Sequence, residues 1–425
     1  MQDIVETLLF FVPIATSPEF WPIAALSFIM RPSLSTRNWS FGETLASVSL
    51  VPKMLACAYW RELAVVPLVL SNVESINFQV PLLLLTKLPS LSLLAGFYVS
   101  MFEAWTWNFL VRKPAISTYL ERSSITQLIS FFARHLISRF GVGQLSEEIR
   151  LNLSVVLFVF FVLRIWKCKS LYIRFLWLFA FVGFLVYSIP SRLYWLSSFE
   201  EAAPLFSYWL SLLVGGIPLI LSASKYLKVV IARKLFHILI LMILLPPLLF
   251  YGFQIYPLVS CGSFVALGVF FMLEEIRRSK GSGFVEKITC AFADNKGEEF
   301  VFSHMALLVG CVLPLWLSRV SENDNLLFSG IITVGVGDAF AAILGVSLPK
   351  VQRMPGSSRS LEGLIAFICS TAICSYLLSL SRESAVYPPI VALLLTGLVE
   401  TYTKSMDNLI LPIYFMAVVN GLDRL

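Results

Sequence analysis

Apolar runs of spanning length recur from one end of the chain to the other, separated by short polar stretches. They predict helices near 20–30, 45–60, 63–73 (short), 82–110, 151–166, 172–188, 204–222, 236–252, 257–273, 302–318, 327–345, 361–380, 386–399 and 409–421. A helix of about 20 apolar residues crosses a hydrocarbon core of about 30 Å, so the pattern amounts to about 12–14 crossings. Lipid cannot satisfy backbone polar groups, and the alternation of β-barrel strands is absent. The expected fold is an all-α polytopic integral membrane bundle of about 12–14 transmembrane helices.

The polar positions divide the chain in two. Residues 1–222 read as a multi-span membrane region with few polar constellations. The exception is 111–150, where Ile125 to Phe140 suits an amphipathic interfacial helix. From 223 to 425, every second loop is rich in polar groups. Counting crossings from the 204–222 span puts loops 223–235, 274–301, 346–360 and 400–408 on one side, with thirteen Lys and Arg residues against three on the other. That bias places the polar loops in the cytosol and makes 223–425 the expected catalytic region. The N-terminal Met1-Gln2-Asp3-Ile4-Val5-Glu6 lacks the basic start of a secretory signal, so the first apolar segment is expected to be retained.

Composition agrees with the membrane reading. Hydrophobic residues make up 58% and charged ones 14%, where soluble domains have ~45–50% and ~25%. Seven cysteines without a C-x-x-C pair argue against a disulfide framework or zinc site. The net charge of +6 is modest, with cations at span ends, which fits membrane topology and not nucleic-acid binding.

Four constellations could carry chemistry, all on the cytosolic side. Asp338 lies inside the apolar run 330–345, where a carboxylate costs roughly 2.5–3.5 kcal/mol on insertion scales. It suits a divalent metal bridging phosphates. At helical spacing Gly335, Ala341, Ala342 and Gly345 leave an open face beside it, though the glycines, Gly337 included, can equally permit close helix packing. Next, Gly356-Ser357-Ser358-Arg359-Ser360 precedes a helix amino terminus, a setting that favours phosphate. Ser360 can equally be a plain N-cap and Glu362 a first-turn acid. Third, Glu400, Lys404 and Asp407 would align on a continuing helix, as a site or as a surface salt-bridge ladder. Fourth, Lys234 and His237 open the 236–252 span; snorkelling accounts for the lysine as readily. His304 sits similarly near the start of the 302–318 span, and Glu274 ends the 257–273 span. The P-loop signature G-x-x-x-x-G-K-[ST] is absent.

In this order the strings resemble the dolichol kinase family of membrane lipid kinases. They are Arg233-Lys234-Leu235-Phe236-His237, Leu273-Glu274-Glu275-Ile276-Arg277, and Ser303-His304-Met305 with Leu313-Pro314-Leu315-Trp316-Leu317. Then follow Val334-Gly335-Val336-Gly337-Asp338-Ala339, Pro355-Gly356 through Glu362-Gly363, and Glu400-Thr401-Tyr402 with Asp407 through Pro412. The resemblance covers roughly residues 225–425. Phytol kinases and phosphatidate cytidylyltransferases share looser versions of the Gly-Asp element. One departure is plain: the family's stretch after Pro-Gly usually carries two adjacent lysines, where this chain has Ser358 and Arg359. Either Arg359 carries that role alone, or Lys350 or Arg353 compensates.

The resemblance implies a CTP-dependent kinase of the endoplasmic reticulum membrane that phosphorylates the terminal hydroxyl of dolichol, with its active site facing the cytosol. On that expectation Asp338, with Glu400 or Asp407, holds a divalent ion, Mg2+ or Ca2+. Arg359, Lys234 and Lys404 neutralise phosphate oxygens, and the backbone of Gly356 to Ser360 cradles them. Glu362 belongs to the catalytic face, and His237 or a carboxylate takes the acceptor's proton. Rival readings are a cytidylyltransferase or another polyprenol or phytol kinase, a transporter, and an inactive scaffold. A transporter usually shows internal repeats, and none is visible.

Overall fold

Backbone groups in hydrocarbon must bond within their own segment, and the described residues do so as helices. The structure is a computed structural model. It describes residues 2–15, 76–87, 93–111, 119–139, 199–280, 301–317, 324–348, 352–381, 390–403 and 406–422, with single positions between 46 and 70 and at 283. The first four helices are α1 (Gln2–Ala15), α2 (Ile76–Lys87), α3 (Leu93–Val111) and α4 (Tyr119–Arg139). Next, α5 joins Phe199–Ser211 to Ile217–Ala223 through a π-helical turn at Leu212–Gly216. Then come α6 (Val229–Tyr251), α7 (Tyr256–Lys280) and α8 (Ser303–Leu317). α9 begins as a π-helix, Ile331–Asp338, and continues as Ala339–Ser347. The chain closes with α10 (Leu361–Ser381), α11 (Ile390–Tyr402) and α12 (Asp407–Leu422).

Among the described residues there is no sheet, only an isolated bridge between Arg353 and Ser360. Three helices there are long and apolar enough to cross a membrane, Ala203–Ala223, Val229–Tyr251 and Leu361–Ser379, and four shorter apolar ones accompany them. The protein is an all-α, multi-pass membrane bundle. The spans expected at 20–30, 151–166 and 172–188 lie outside the described residues.

Two expectations for the first half change. The run 82–110 is not one helix: α2 and α3 are separate and pack on each other. Pro89 between them disfavours helix for the residue before it. The helix expected to lie at the interface is part of α4, which packs against α3 and buries Glu121, Gln127 and Phe131.

α9 is the hub, touching α6, α8, α10, α11 and α12. Every residue from Ile331 to Ala339 is buried, as expected of a helix apolar on all sides. At Gly337 an added Cβ would lie 2.6 Å from both Phe367 and Thr371. Close packing on α10 therefore explains that glycine.

Prolines inside helices shape the rest. A proline removes the N–H that would bond the carbonyl four residues earlier. Pro246 and Pro247 thus free Met242 and Ile243 on α6. The Tyr208 hydroxyl donates to Met242 O at 2.5 Å and Trp209 Nε1 to Ile243 O at 3.0 Å. Pro13 frees Leu9 on α1, and the Tyr414 hydroxyl donates to Leu9 O at 2.8 Å. At these three prolines the gap becomes a bond to a neighbouring helix, which orients the pair. Pro412 and Pro314 are answered by glycines instead. A Cβ at Gly310 would lie 1.9 Å from Asn408 O, and one at Gly330 would lie 2.2 Å from Gly310 O.

Candidate active site

Asp338 ends the π-helical part of α9, and its side chain is fully buried. The wider turn of a π-helix re-aims the residues that follow it, and such turns are frequent at functional sites. Two groups on α6 meet the Asp338 carboxylate. Lys234 Nζ is 2.5 Å from Oδ2, and His237 Nε2 is 3.0 Å from the same atom. A carboxylate only accepts, so Nε2 carries the proton. The same nitrogen lies 3.2 Å from Asn408 Oδ1, and Nδ1 lies 3.4 Å from Arg233 O. With Nε2 donating to Asp338, His237 orients the carboxylate and does not offer that nitrogen as a base. The other oxygen, Asp338 Oδ1, is buried and has no hydrogen-bond partner among the described residues.

Glu400, at the end of α11, and Asp407, at the start of α12, complete the acidic group. One ligand atom from each of Asp338, Glu400 and Asp407 fits within 4.8 Å of the others. Arg359 spans two of them: Nη1 bonds Glu400 Oε1, and Nη2 lies 2.7 Å from Asp407 Oδ2. Burial alone would weaken the guanidinium, but Glu400, Asp407 and then Asp338 hold its pKa above the ordinary arginine range. Three carboxylates thus face two fixed cations, Lys234 and Arg359. The cluster runs from fully buried Asp338 to Asp407 and Arg359, whose side chains are 23% and 34% exposed.

A tight hairpin delivers Arg359. Ser357 N donates to Met354 O at 3.0 Å, and Gly356 has φ +75°. Pro355 and Gly356 therefore take the middle of a type II turn, where the third residue needs positive φ. Met354 N then bonds Arg359 O at 3.0 Å, and Leu361 N bonds Gln352 O at 2.8 Å. The Ser357 hydroxyl donates to Thr401 O at 2.5 Å and accepts from Arg359 N at 3.1 Å. This ties the hairpin to the end of α11 beside Glu400. Ser360 Oγ accepts from Gly363 N at 3.1 Å, an N-cap on α10.

Several site expectations meet a different arrangement. Glu362 accepts Gln352 N at 2.9 and 3.0 Å, so it clamps the hairpin and stands apart from the carboxylate group. Ser360 caps its helix, and the N–H groups of Ser357 and Arg359 are used inside the hairpin, which removes two donors from the proposed cradle. Ser358 is exposed in the turn. Gly337 packs on α10, and a Cβ at Gly335 would be 3.6 Å from Leu241, an ordinary contact. Lys404 and Lys350 lie outside the described residues. Glu274 is held by Arg277 at 2.6 and 2.9 Å and caps Val301 N at 3.0 Å, away from Asp338.

The structure adds residues the sequence did not single out. Asn408 reaches His237, and Glu121 of α4 accepts Met406 N at 2.8 Å, one residue before Asp407. Thr403 Oγ1 donates to Glu6 of α1 at 3.3 Å. The first half thus braces both ends of the 403–406 segment. No local sequence signal marks Glu6 or Glu121, because their partners lie hundreds of residues away.

Three carboxylates around an unpartnered buried oxygen suit a hard divalent cation, which takes oxygen ligands. Arg359 and Lys234 would stay close enough to meet anionic ligand oxygens.

No family model and no solved structure matches the chain. Curated proteins do. The dolichol kinase EVAN of Arabidopsis thaliana is 30% identical over 227 residues, covering 50% of this chain and 39% of that protein. The dolichol kinase of Mus musculus is 30% identical over 260 residues, covering 53% and 47%. That of Saccharomyces cerevisiae is 28% identical over 221 residues, covering 49% and 40%. The matches span less than half the length of these relatives. About half of this membrane bundle is thus similar to dolichol kinases from six eukaryotes.

Proposed function

We propose that the chain transfers the γ-phosphoryl group of CTP to the terminal hydroxyl of dolichol, giving dolichyl phosphate for protein glycosylation. The reaction would occur on the cytosolic face of the endoplasmic reticulum membrane, in a catalytic region spanning 223–425. The observation that carries this reading is the Asp338, Glu400 and Asp407 group, with its unpartnered Asp338 oxygen and its two flanking cations. The relatives' names supply the lipid, and the resemblance of the strings supplies the nucleotide.

Phosphoryl transfer passes through a loose transition state, so positioning and charge neutralisation dominate. The dolichol oxygen bonds to the γ-phosphorus as the bond to the β,γ-bridging oxygen breaks. CDP leaves with that electron pair, and the hydroxyl proton departs late, to the transferred phosphoryl group. Asp338, Glu400 and Asp407 would hold a Mg2+ or Ca2+ ion, which when bound neutralises phosphate charge. Lys234 and His237 fix Asp338 Oδ2, leaving Oδ1 for the ion. Arg359 would turn one fork from its carboxylates toward phosphate, a bidentate contact that lysine does not reproduce. The missing lysine pair is thus offset in this reading by an arginine already held at the carboxylates.

The test is Asp338→Asn in purified, reconstituted protein with dolichol and CTP labelled at either the γ- or the α-phosphate. Loss of γ-label transfer in protein that remains folded, at the lower stability expected without the Lys234 ion pair, supports the reading. Transfer near wild type removes Asp338 from the chemistry, and α-label in the lipid reassigns the chain to cytidylyl transfer.

A further inference from the structure

α6 carries two different surfaces at one level. Lys234 and His237 face Asp338, while Phe236, between them in sequence, lines an apolar groove of about 360 Å3. That volume falls within the range of ligand pockets, about 300–1,000 Å3. The groove is walled by α5, α6, α7 and α8. Its lining on α6 runs from Phe236 to Leu244, about 12 Å at the helical rise. On α7, which follows α6 in the chain and returns across the bundle, the lining runs from Leu273 back to Val259. The groove therefore starts at the turn of α6 that serves the carboxylate site and descends along the helices into the apolar layer.

Its chemistry is that of a hydrocarbon guest. Among the described residues, no Asp, Glu, Lys or Arg lines it. The Ser263 hydroxyl accepts the Trp316 indole N–H at 2.9 Å, and the His304 ring packs edge-on against Phe270 at 4.9 Å. Trp209, on the α5 wall, has its indole N–H committed to the carbonyl that Pro247 frees. A headgroup would find little here, whereas an unbranched or methyl-branched chain would displace only lipid or void. Space is also built in: a Cβ at Gly262, in the α7 wall, would meet no atom within 4 Å.

We propose that this groove holds the first isoprene units of the acceptor alcohol, hydroxyl upward, so that its oxygen emerges beside His237 and Asp338. The proposal rests on the kinase reading above for the identity of the guest. The end of the groove at Phe236, next in the chain to His237 of the carboxylate site, favours the isoprenoid over a phospholipid tail. A bulk phospholipid seated there would bring its charged headgroup to the level of Lys234 and His237, where the kinase reading needs the nucleotide.

The experiment uses full-length protein in phospholipid nanodiscs and a polyprenol bearing a diazirine in the isoprene unit nearest the hydroxyl. Crosslinks are expected between residues 236 and 273, suppressed by excess unlabelled polyprenol and by Gly262→Phe. A Cβ at this position meets no atom within 4 Å, and replacing the glycine favours the helix. In turnover, Gly262→Phe should raise the KM for polyprenol about tenfold, the scale on which apolar pockets discriminate, and leave the KM for CTP unchanged. Label spread over the outer surface, or groove label indifferent to competitor and to Gly262→Phe, overturns the proposal. An unchanged polyprenol KM does so as well. Crosslinking reads binding without turnover. A wild-type protein that crosslinks in the groove but transfers no phosphate would sink the kinase reading alone.

Discussion

The Lys234 ammonium lies 2.5 Å from Asp338 Oδ2, in an ion pair whose side chains are 9% and 0% exposed. Removing one partner of a buried pair leaves an uncompensated charge, which costs about 3–5 kcal/mol, whereas replacing both with apolar groups is often neutral. Lys234→Met should therefore lower the thermal stability of the detergent-solubilised protein sharply. Adding Asp338→Leu should restore most of it without restoring activity. A single substitution that leaves the melting temperature unchanged would show that the pair is not structural.

Arg359 bridges Glu400 and Asp407 where a divalent ion would otherwise sit. Arg359→Ala leaves three carboxylates facing Lys234 alone, so thermal stabilisation by Mg2+ or Ca2+ should set in at lower ion concentration than in wild type. Phosphotransfer should fall even so. An unchanged metal dependence would separate Arg359 from the ion site.

The carboxylates around Arg359 raise its pKa, and a raised cationic pKa contributes stability that is lost only as pH rises through the folded value. That point lies beyond any accessible pH, so Arg359 stays charged throughout. Arg359→Lys should therefore lower activity at all pH values without moving the acid limb of the pH–rate profile. A shifted acid limb would mean that Arg359 sets the titration of a catalytic carboxylate.

Gly310 and Gly335 should differ in their tolerance of alanine. At Gly310 a Cβ would lie 1.9 Å from the backbone oxygen of Asn408, whose side chain reaches His237. Forced overpacking costs about 1–3 kcal/mol, and here it would also push Asn408 away from the site. Gly310→Ala should lose both stability and activity. At Gly335 a Cβ meets Leu241 at an ordinary 3.6 Å, so Gly335→Ala should be near neutral in a thermal melt. Equal behaviour of the two would refute the close-approach argument.

Tyr208 and Pro246 form a testable couple. Tyr208→Phe leaves the Met242 carbonyl, freed by Pro246, without its donor, at about 1–3 kcal/mol for an unsatisfied group. Pro246→Ala in the same chain returns a helical N–H and should recover that loss. Equal destabilisation in the single and double variants would exclude the pairing.

The helical, membrane-spanning character of the chain was legible from its apolar runs, and from 204 onward the expected spans match the observed helices closely. That region alternates long apolar runs with charged loops, so length and hydropathy decide it. Where a proline interrupted an apolar run, as at 89, hydropathy alone joined two helices into one. The Ser360 cap was legible too, because it is a local bond between residues three positions apart.

The order of apolar and polar residues is enough to put a carboxylate in an apolar run at 338, and Lys234, His237, Arg359, Glu400 and Asp407 at span ends on one side. Their relations come from the packing of the helices: Lys234 and His237 on one Asp338 oxygen, Arg359 across Glu400 and Asp407, and Glu362 turned away to its hairpin. The physical reason is range. Helix formation and capping depend on neighbours within four residues, whereas each bond of the site joins helices tens to hundreds of residues apart. Their approach is set by proline-freed carbonyls, glycine contacts and a π-helical turn, which hydropathy does not encode.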